Sequence, residues 1–240
     1  MKLRVYFTPL GLDSQTVSGK PLLVIDALRA TTTIVTALAN GAKSVLPADS
    51  ADEAMRLAHD LDSVVLAGEQ NYKPIPGFQL GNSPSEMTEE VVAGKTVVML
   101  TTNGTGAIVA SRTASPVLIG AAVNFQAAVK RAKAAFKEAG ELTILCAGHG
   151  MRFALEDAYV AGRFAKALLP ARATGVEIDD ATIAALQLVR HYGEKWKGAF
   201  TQSRSARNLK ELGLGADVQS ALEVDRFDIV PTYAERQVRV

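Results

Sequence analysis

The sequence predicts an α/β fold: a three-layer α/β/α sandwich around a largely parallel or mixed sheet, with a helical C-terminal third. Three observations carry that prediction. Short apolar runs alternate with helical patterns over the first two thirds of the 240 residues, the arrangement that builds a sheet covered by helices on both faces. Polar residues, among them Asp26, Glu69 and His149, gather just after the apolar runs. From Phe153 onward the pattern is almost wholly helical.

Taken in order, the strands are expected near Leu3–Phe7, Leu22–Asp26, Ser44–Ala48, Ser63–Ala67, Thr96–Thr101, Val117–Gly120 and Leu142–Cys146. The run from Pro21 to Ile25 reads as a strand buried on both faces. After it, Ile34, Val35 and Leu38 recur at helical spacing. Further helices are expected at Ala51–Asp60, Gly104–Arg112 and Phe125–Ala139, then at Ala154–Leu168, Asp179–His191, Ser205–Leu212 and Ala216–Val224. Phe227–Val230 reads as an added edge strand, and Gly193 to Gly198 as a hinge within one domain spanning residues 1–240. Gly68 to Pro84 holds three prolines and three glycines, which forbids a regular element. Its Tyr72, Ile75, Phe78 and Leu80 favour an ordered loop, and ordered loops of this length usually carry function.

Composition narrows the classes. Forty-eight per cent hydrophobic residues suffice for a core, and 26 basic residues against 25 acidic ones leave a net charge of +1. That balance, without basic clustering, argues against nucleic-acid binding. No signal-peptide pattern and no segment of membrane-spanning length is evident, so a cytoplasmic protein without a membrane partner is expected. A single cysteine, Cys146, excludes an internal disulfide. The apolar C-terminal helices could cover the sheet or form a homodimer contact.

The chemistry is expected at the strand ends, because ligands collect outside the carboxyl ends of parallel strands. Asp26 closes one strand, and Arg29, Thr31, Thr32 and Thr33 open the following helix, whose free N–H groups and positive dipole suit an anion. A metal-capable acid beside an anion-binding turn points to phosphate chemistry. Glu69, the Thr101-Thr102-Asn103-Gly104-Thr105 turn and the Cys146-Ala147-Gly148-His149-Gly150-Met151-Arg152 run stand at three further strand ends. Glycine lets backbone approach a phosphate, and threonine hydroxyls add donors. Glu156 and Asp157 begin the next helix, where carboxylates also serve simply to favour a helix N-terminus.

Together these motifs resemble the 2-phosphosulfolactate phosphatase family. Asp26-x-x-Arg29-Ala30-Thr31-Thr32-Thr33, Gly68-Glu69, the Pro74-Ile75-Pro76-Gly77-Phe78-x-x-Gly81-Asn82-Ser83-Pro84 loop, the Thr101–Thr105 turn and Cys146-Ala147-Gly148 with Arg152 and Glu156-Asp157 carry the likeness. It extends through Leu212-Gly213, Asp217, Asp225 and Val230-Pro231, and covers about Leu22 to Pro231. The resemblance implies a magnesium-dependent phosphatase acting on 2-phospho-3-sulfolactate, a step toward coenzyme M in methanogens. Gln70-Asn71-Tyr72-Lys73 departs from the arginine and glycines usual in the family after Gly68-Glu69, which bears on the substrate more than on the reaction.

Magnesium takes one or two carboxylates and substrate oxygens. Asp26 and Glu69 are the leading ligands, with Asp157 a third. Asp26 has two other readings, a helix cap and a phosphoryl acceptor. Cys146 and Arg152 match the Cys-x5-Arg spacing of thiolate phosphatases, although Phe153 replaces the hydroxyl residue those enzymes use, and Cys146 also reads as a buried strand-end residue. The catalytic set is therefore Asp26, Arg29, Glu69, Cys146 and Arg152. A small anionic phospho acid would be held by Thr31, Thr32, Thr33, Lys73, Asn82, Ser83, Thr102, Asn103, Gly104, Thr105, Gly148, His149 and Arg204. His149 could serve as general acid. Arg204, Arg207 and Asn208 could close over the substrate, with Arg207 read as part of a solvated face. The alternative is a non-catalytic sensor that binds the same anion without metal.

Overall fold

The computed structural model describes residues 1–169 and 175–240. The fold is α/β, and the described residues form ten strands in one mixed sheet: β1 Lys2–Tyr6, β2 Leu22–Ile25, β3 Ser44–Pro47, β4 Val64–Gly68, β5 Thr96–Leu100, β6 Val117–Gly120, β7 Glu141–Cys146, β8 Glu177–Ile178, β9 Thr232–Ala234 and β10 Gln237–Arg239. The first seven fall where the apolar runs predict them. The spatial order is β4-β5-β3-β10-β9-β6-β2-β7-β1-β8.

Side chains of β2 alternate between two cores, as the pleat demands. Leu23 and Ile25 join Phe125, Phe136, Tyr159 and Phe164 on one face. Leu22 and Val24 join Ile34, Val35 and Ile108 on the other. Both faces are therefore covered, which explains the unbroken apolar character of β2 and its 4 fully buried residues. The Phe125–Ala139 helix matches its predicted bounds and ends on Gly140 in the left-handed region, the usual C-terminal stop.

The C-terminus corrects two expectations. Phe227–Val230 forms no strand; it lies beside the Ala122–Asn124 turn that follows β6, where Phe227 N–H donates to Val123 O and Asn124 Nδ2 to Ile229 O. The strands come later, as the β9–β10 hairpin, and they enter the middle of the sheet rather than its edge. The hairpin turns through Glu235 and Arg236, both at positive φ, a two-residue turn that normally advertises itself with Asn-Gly. Glu-Arg gives no such signal. Within Gly193 to Gly198, Trp196 is buried, 5.1 Å from the Phe125 ring and 5.7 Å from Tyr159.

The inserted hairpin has a consequence for the site. The pairings β3–β10, β10–β9 and β9–β6 are all antiparallel, so the block β4-β5-β3 is reversed relative to β6-β2-β7-β1-β8. In a flat sheet the carboxyl ends of the two blocks would leave by opposite edges. Residues following β2, β4, β5 and β7 nevertheless line one cavity. The sheet must turn strongly through the hairpin, in the direction that strand twist accumulates.

Candidate active site

The cavity holds about 240 Å³ and is lined by Asp26, Leu28, Arg29, Glu69, Asn71, Tyr72, Asn82, Thr102, Asn103, His149, Gly150, Arg204 and Asn208. Asp26 stands where β2 meets the Ala30–Ala39 helix. Its Oδ1 accepts from Ala30 N–H at 3.2 Å. Its Oδ2 faces Gly104, where an added Cβ would lie 2.6 Å away. A side chain at position 104 would thus displace the acid, and glycine is required for this approach.

Glu69 is fixed by three donors. Thr102 N–H reaches Oε1 at 3.0 Å, while Thr102 Oγ1 and Tyr72 N–H reach Oε2 at 3.0 and 2.6 Å. Asn71 and Tyr72 make this possible by adopting positive φ, in a tight turn closed by Gln70 and Lys73. The turn brings Tyr72 to the cavity and leaves Lys73 exposed, lining neither the cavity nor its neighbouring groove. A similar turn through Gly150 and Met151 presents His149. The Tyr72 hydroxyl lies 3.4 Å from His149 Nδ1, and Gly150 N–H donates to Asn103 Oδ1 at 2.9 Å.

Buried acids dominate the electrostatics. Burial, chiefly, together with the charges of Glu156 and Glu69, raises Asp26 to about 7, against the opposing effects of the Ala30 N–H and Arg29. Burial also raises Glu156, and raises Asp157 with the help of Asp26 and Glu156. Glu156 Oε2 is buried without a hydrogen-bond partner among the described residues. Arg29, the buried cation beside them, is paired with Asp217 at 2.6 Å. Such a surplus of negative charge in a low-dielectric setting favours a cation.

Several expected anion contacts are instead spent on the backbone. Thr31 Oγ1 donates to Asp26 O, Thr32 Oγ1 to Ala27 O, and Thr33 Oγ1 to Arg29 O and Asn82 O. All three threonines are at most 1% exposed and none lines the cavity. They brace the turn that carries Asp26. Thr105 is similarly engaged with Thr101. Asp157 Oδ1 accepts from Ala27 N–H at 2.8 Å and Oδ2 from Gly148 N–H at 3.1 Å, so this acid clamps two strand ends together away from the cavity. Gly148 serves that clamp. Ser83 donates to Asp217 Oδ2 at 2.8 Å and supports the Arg29 pair.

The Cys-x5-Arg reading is not realised in space. Cys146 is fully buried in the core, and burial with three nearby carboxylates holds its thiol well above the ordinary value, the opposite of an activated thiolate. Arg152 is exposed in a neighbouring groove with Glu156 and Arg207, which shares His149 and Arg204 with the cavity, and it does not line the cavity itself. Asp26, Arg29, Glu69, Asn82, Thr102, Asn103, His149 and Arg204 do come together, with Gly104 directly behind Asp26. Asn71 and Gly150 carry no chemical signal in the sequence, and Tyr72 reads there only as an apolar anchor. Asn208 reaches the cavity one helical turn after Arg204, a spacing legible in the Arg204–Glu211 helix.

The donor set suits magnesium. Asp26 and Glu69 offer carboxylate oxygens to one cavity, and among the described residues no hydrogen bond reaches Asp26 Oδ2. Among the described residues no three His, Cys, Asp or Glu side chains form a metal cluster, but magnesium needs only one or two carboxylates when water and phosphate complete its shell.

Comparison with known proteins adds an independent observation. The family described as 2-phosphosulpholactate phosphatase matches residues 6–236. A protein of Caldanaerobacter subterraneus subsp. tengcongensis, named probable 2-phosphosulfolactate phosphatase, is 37% identical over 241 residues, covering 100% of this chain and 98% of that one. A protein of the same name from Deinococcus radiodurans is 42% identical over 212 residues, covering 88% and 86% of the two chains. A third, from Clostridium acetobutylicum, is 34% identical over 239 residues, covering 99% and 100%.

Proposed function

This chain belongs to the 2-phosphosulfolactate phosphatase family, and on that basis we propose that it is a phosphoric monoester hydrolase that releases phosphate from 2-phosphosulfolactate or a similar small 2-phospho acid. The observation that carries the reading is the meeting of Asp26 and Glu69, from strands β2 and β4, in one cavity with Asn103, His149, Arg204 and Asn208. Acids and donors of this kind in one cavity suit a phosphoryl group whose charge must be both neutralised and oriented.

Asp26 and Glu69 would hold magnesium. When bound, it would neutralise phosphate charge and favour in-line displacement. Arg204 and the amides of Asn71 and Asn208 donate to phosphate oxygens, and such donors count most where charge develops in the transition state. His149 is kept toward its neutral form, first by burial and then by Arg204, so it would be available to take the proton of the attacking water and return it to the leaving alkoxide. Tyr72 orients that imidazole.

The test is phosphate release from 2-phospholactate and 2-phosphosulfolactate with magnesium and with EDTA. Turnover that needs magnesium and falls at least about 100-fold in Asp26→Asn is expected. Metal-independent binding without product would instead identify a sensor.

A further inference from the structure

A groove of about 300 Å³ opens beside the cavity and shares His149 and Arg204 with it. Three elements build it. Arg152 comes from the turn after β7, which the paired backbone bonds between His149 and Arg152 close at 2.8 and 3.1 Å. Phe153, edge-on to Phe7 with ring centroids 5.2 Å apart, pins that turn beside the end of β1. Arg204 and Arg207 stand three residues apart on the Arg204–Glu211 helix and so share a face. Ser203 caps that helix by accepting from Ala206 N–H at 3.1 Å. Leu155 and Glu156 open the Leu155–Leu168 helix on the remaining side, where Ala154 is the N-cap and no side chain caps the helix. Its first N–H groups therefore add positive partial charge at this end.

Charge defines the occupant. Arg152, Arg204 and Arg207 are all exposed, and among the described residues no carboxylate pairs with any of them, whereas Arg29, Arg163, Arg226 and Arg236 each have one. Arg207 is tied only to Gln202 O among the described residues. Glu156 is the one acid among the residues lining the groove, and it is 2% exposed. Three guanidinium groups against one buried carboxyl leave a surplus of positive charge, the reverse of the cavity that holds Asp26 and Glu69. Guanidinium forks match oxyanions, and several of them can share an anion with several equivalent oxygens. A sulfonate is such an anion, and it stays ionised at physiological pH. The two spaces differ in charge as the two ends of a phosphorylated sulfonic acid require: a metal-capable end for the phosphate and an arginine-lined end for a second anion.

On the phosphatase reading above, we infer that the groove receives the second strong anion of the substrate, the sulfonate on its third carbon, and that Arg152 and Arg207 set the preference for it. Asp26 and Glu69 keep the phosphate end in the cavity, and Arg204 borders both groups. A substrate without the distal anion forgoes these contacts and keeps the chemistry. The two arginines therefore act on KM and leave kcat alone.

The experiment measures kcat and KM with magnesium for 2-phosphosulfolactate and 2-phospholactate, in the unaltered chain, in the double variant Arg152→Gln, Arg207→Gln and in Arg131→Gln. Arg131 is exposed and lines neither space, so its loss reports the change of net charge alone. The unaltered chain should prefer the sulfonate substrate by at least about ten-fold in kcat/KM, as hydrogen bonds to charged groups allow. The double variant should lose that preference through a KM raised at least about ten-fold, with kcat and both 2-phospholactate constants within about two-fold. Arg131→Gln should keep it. Absence of a preference in the unaltered chain overturns the inference. So does a preference that survives the double variant, a loss equally deep for both substrates, or the same loss in Arg131→Gln. If the unaltered chain hydrolyses neither substrate, the phosphatase reading itself fails. Calorimetry with 3-sulfolactate then decides the groove separately: weaker binding to the double variant than to the unaltered chain supports it, and equal or absent binding overturns it.

Discussion

Arg29 and Asp217 form an ion pair of 2.6 Å across 188 residues, with side chains 4% and 3% exposed. The pair joins the site turn after β2 to the C-terminal Gly215–Ala221 helix, and Ser83 bonds to the same carboxylate. Removing one partner leaves the other charged and buried. Asp217→Ala is expected to cost about 3–5 kcal/mol in urea unfolding. Replacing both residues with apolar ones of similar volume should recover much of that loss. A cost under about 1 kcal/mol for the single change would mean that the pair is not buried in solution.

Thr32→Val separates bracing from binding. The hydroxyl donates to Ala27 O and is about 1% exposed, so the change should lower stability by about 1–3 kcal/mol by orphaning that carbonyl. KM for a phospho acid should stay within about two-fold. A large KM increase with unchanged stability would return the threonine to the anion site.

Cys146→Ala tests the thiolate mechanism directly. With the thiol buried and raised, turnover should remain within about two-fold, and the stability change should be about 1 kcal/mol. Arg152→Ala should likewise spare the chemical step. Loss of activity on alkylation-resistant Cys146→Ala would sink this assignment.

The buried acids give the metal-free chain a distinct pH response. Asp26 titrates at about 7 in the folded chain against an ordinary 3.8, and Glu156 and Asp157 are also raised. A carboxyl raised on folding contributes its full stability below the unfolded value and loses it as pH climbs through the folded value. Thermal stability without metal should therefore fall between about pH 4 and about pH 7 from these groups. Asp26→Asn should flatten the fall, and magnesium should restore more stability at about pH 8 than at about pH 5. A metal-free melting temperature that rises across this range would contradict the shifts.

His149→Gln should remove the acid limb of the kcat/KM profile that reports a free-enzyme base. If the limb persists at the same pH, the proton acceptor lies elsewhere.

Much of this was legible in the residues. The apolar runs on β2, β5 and β6 are legible because a strand buried on both faces requires nearly uninterrupted apolar side chains, whereas β1 shows the alternation of a half-buried strand. Asp26, Glu69, Asn103 and His149 could be read as site residues because each stands just past such a run. Hydroxyls were misleading, since a threonine can serve an anion or its own backbone equally well by composition. Thr31, Thr32 and Thr33 chose the backbone because the turn after β2 is buried and its carbonyls had to be satisfied. Lys73 and Arg152 matched the expected charge, but two tight turns at positive φ set which neighbours face the cavity.

The sequence by itself determined the α/β alternation, the strand-end acids and the family, since all depend on local patterning and ordered motifs. Only the tertiary structure decided that the β9–β10 hairpin enters the centre of the sheet, because Glu235-Arg236 lacks the usual turn signature. It also decided that two oppositely directed strand blocks share one cavity, a result of twist accumulated over pairings far apart in the chain. The same long-range packing gave Arg29 its partner in Asp217, a choice that desolvation enforces and that spacing along the chain does not encode.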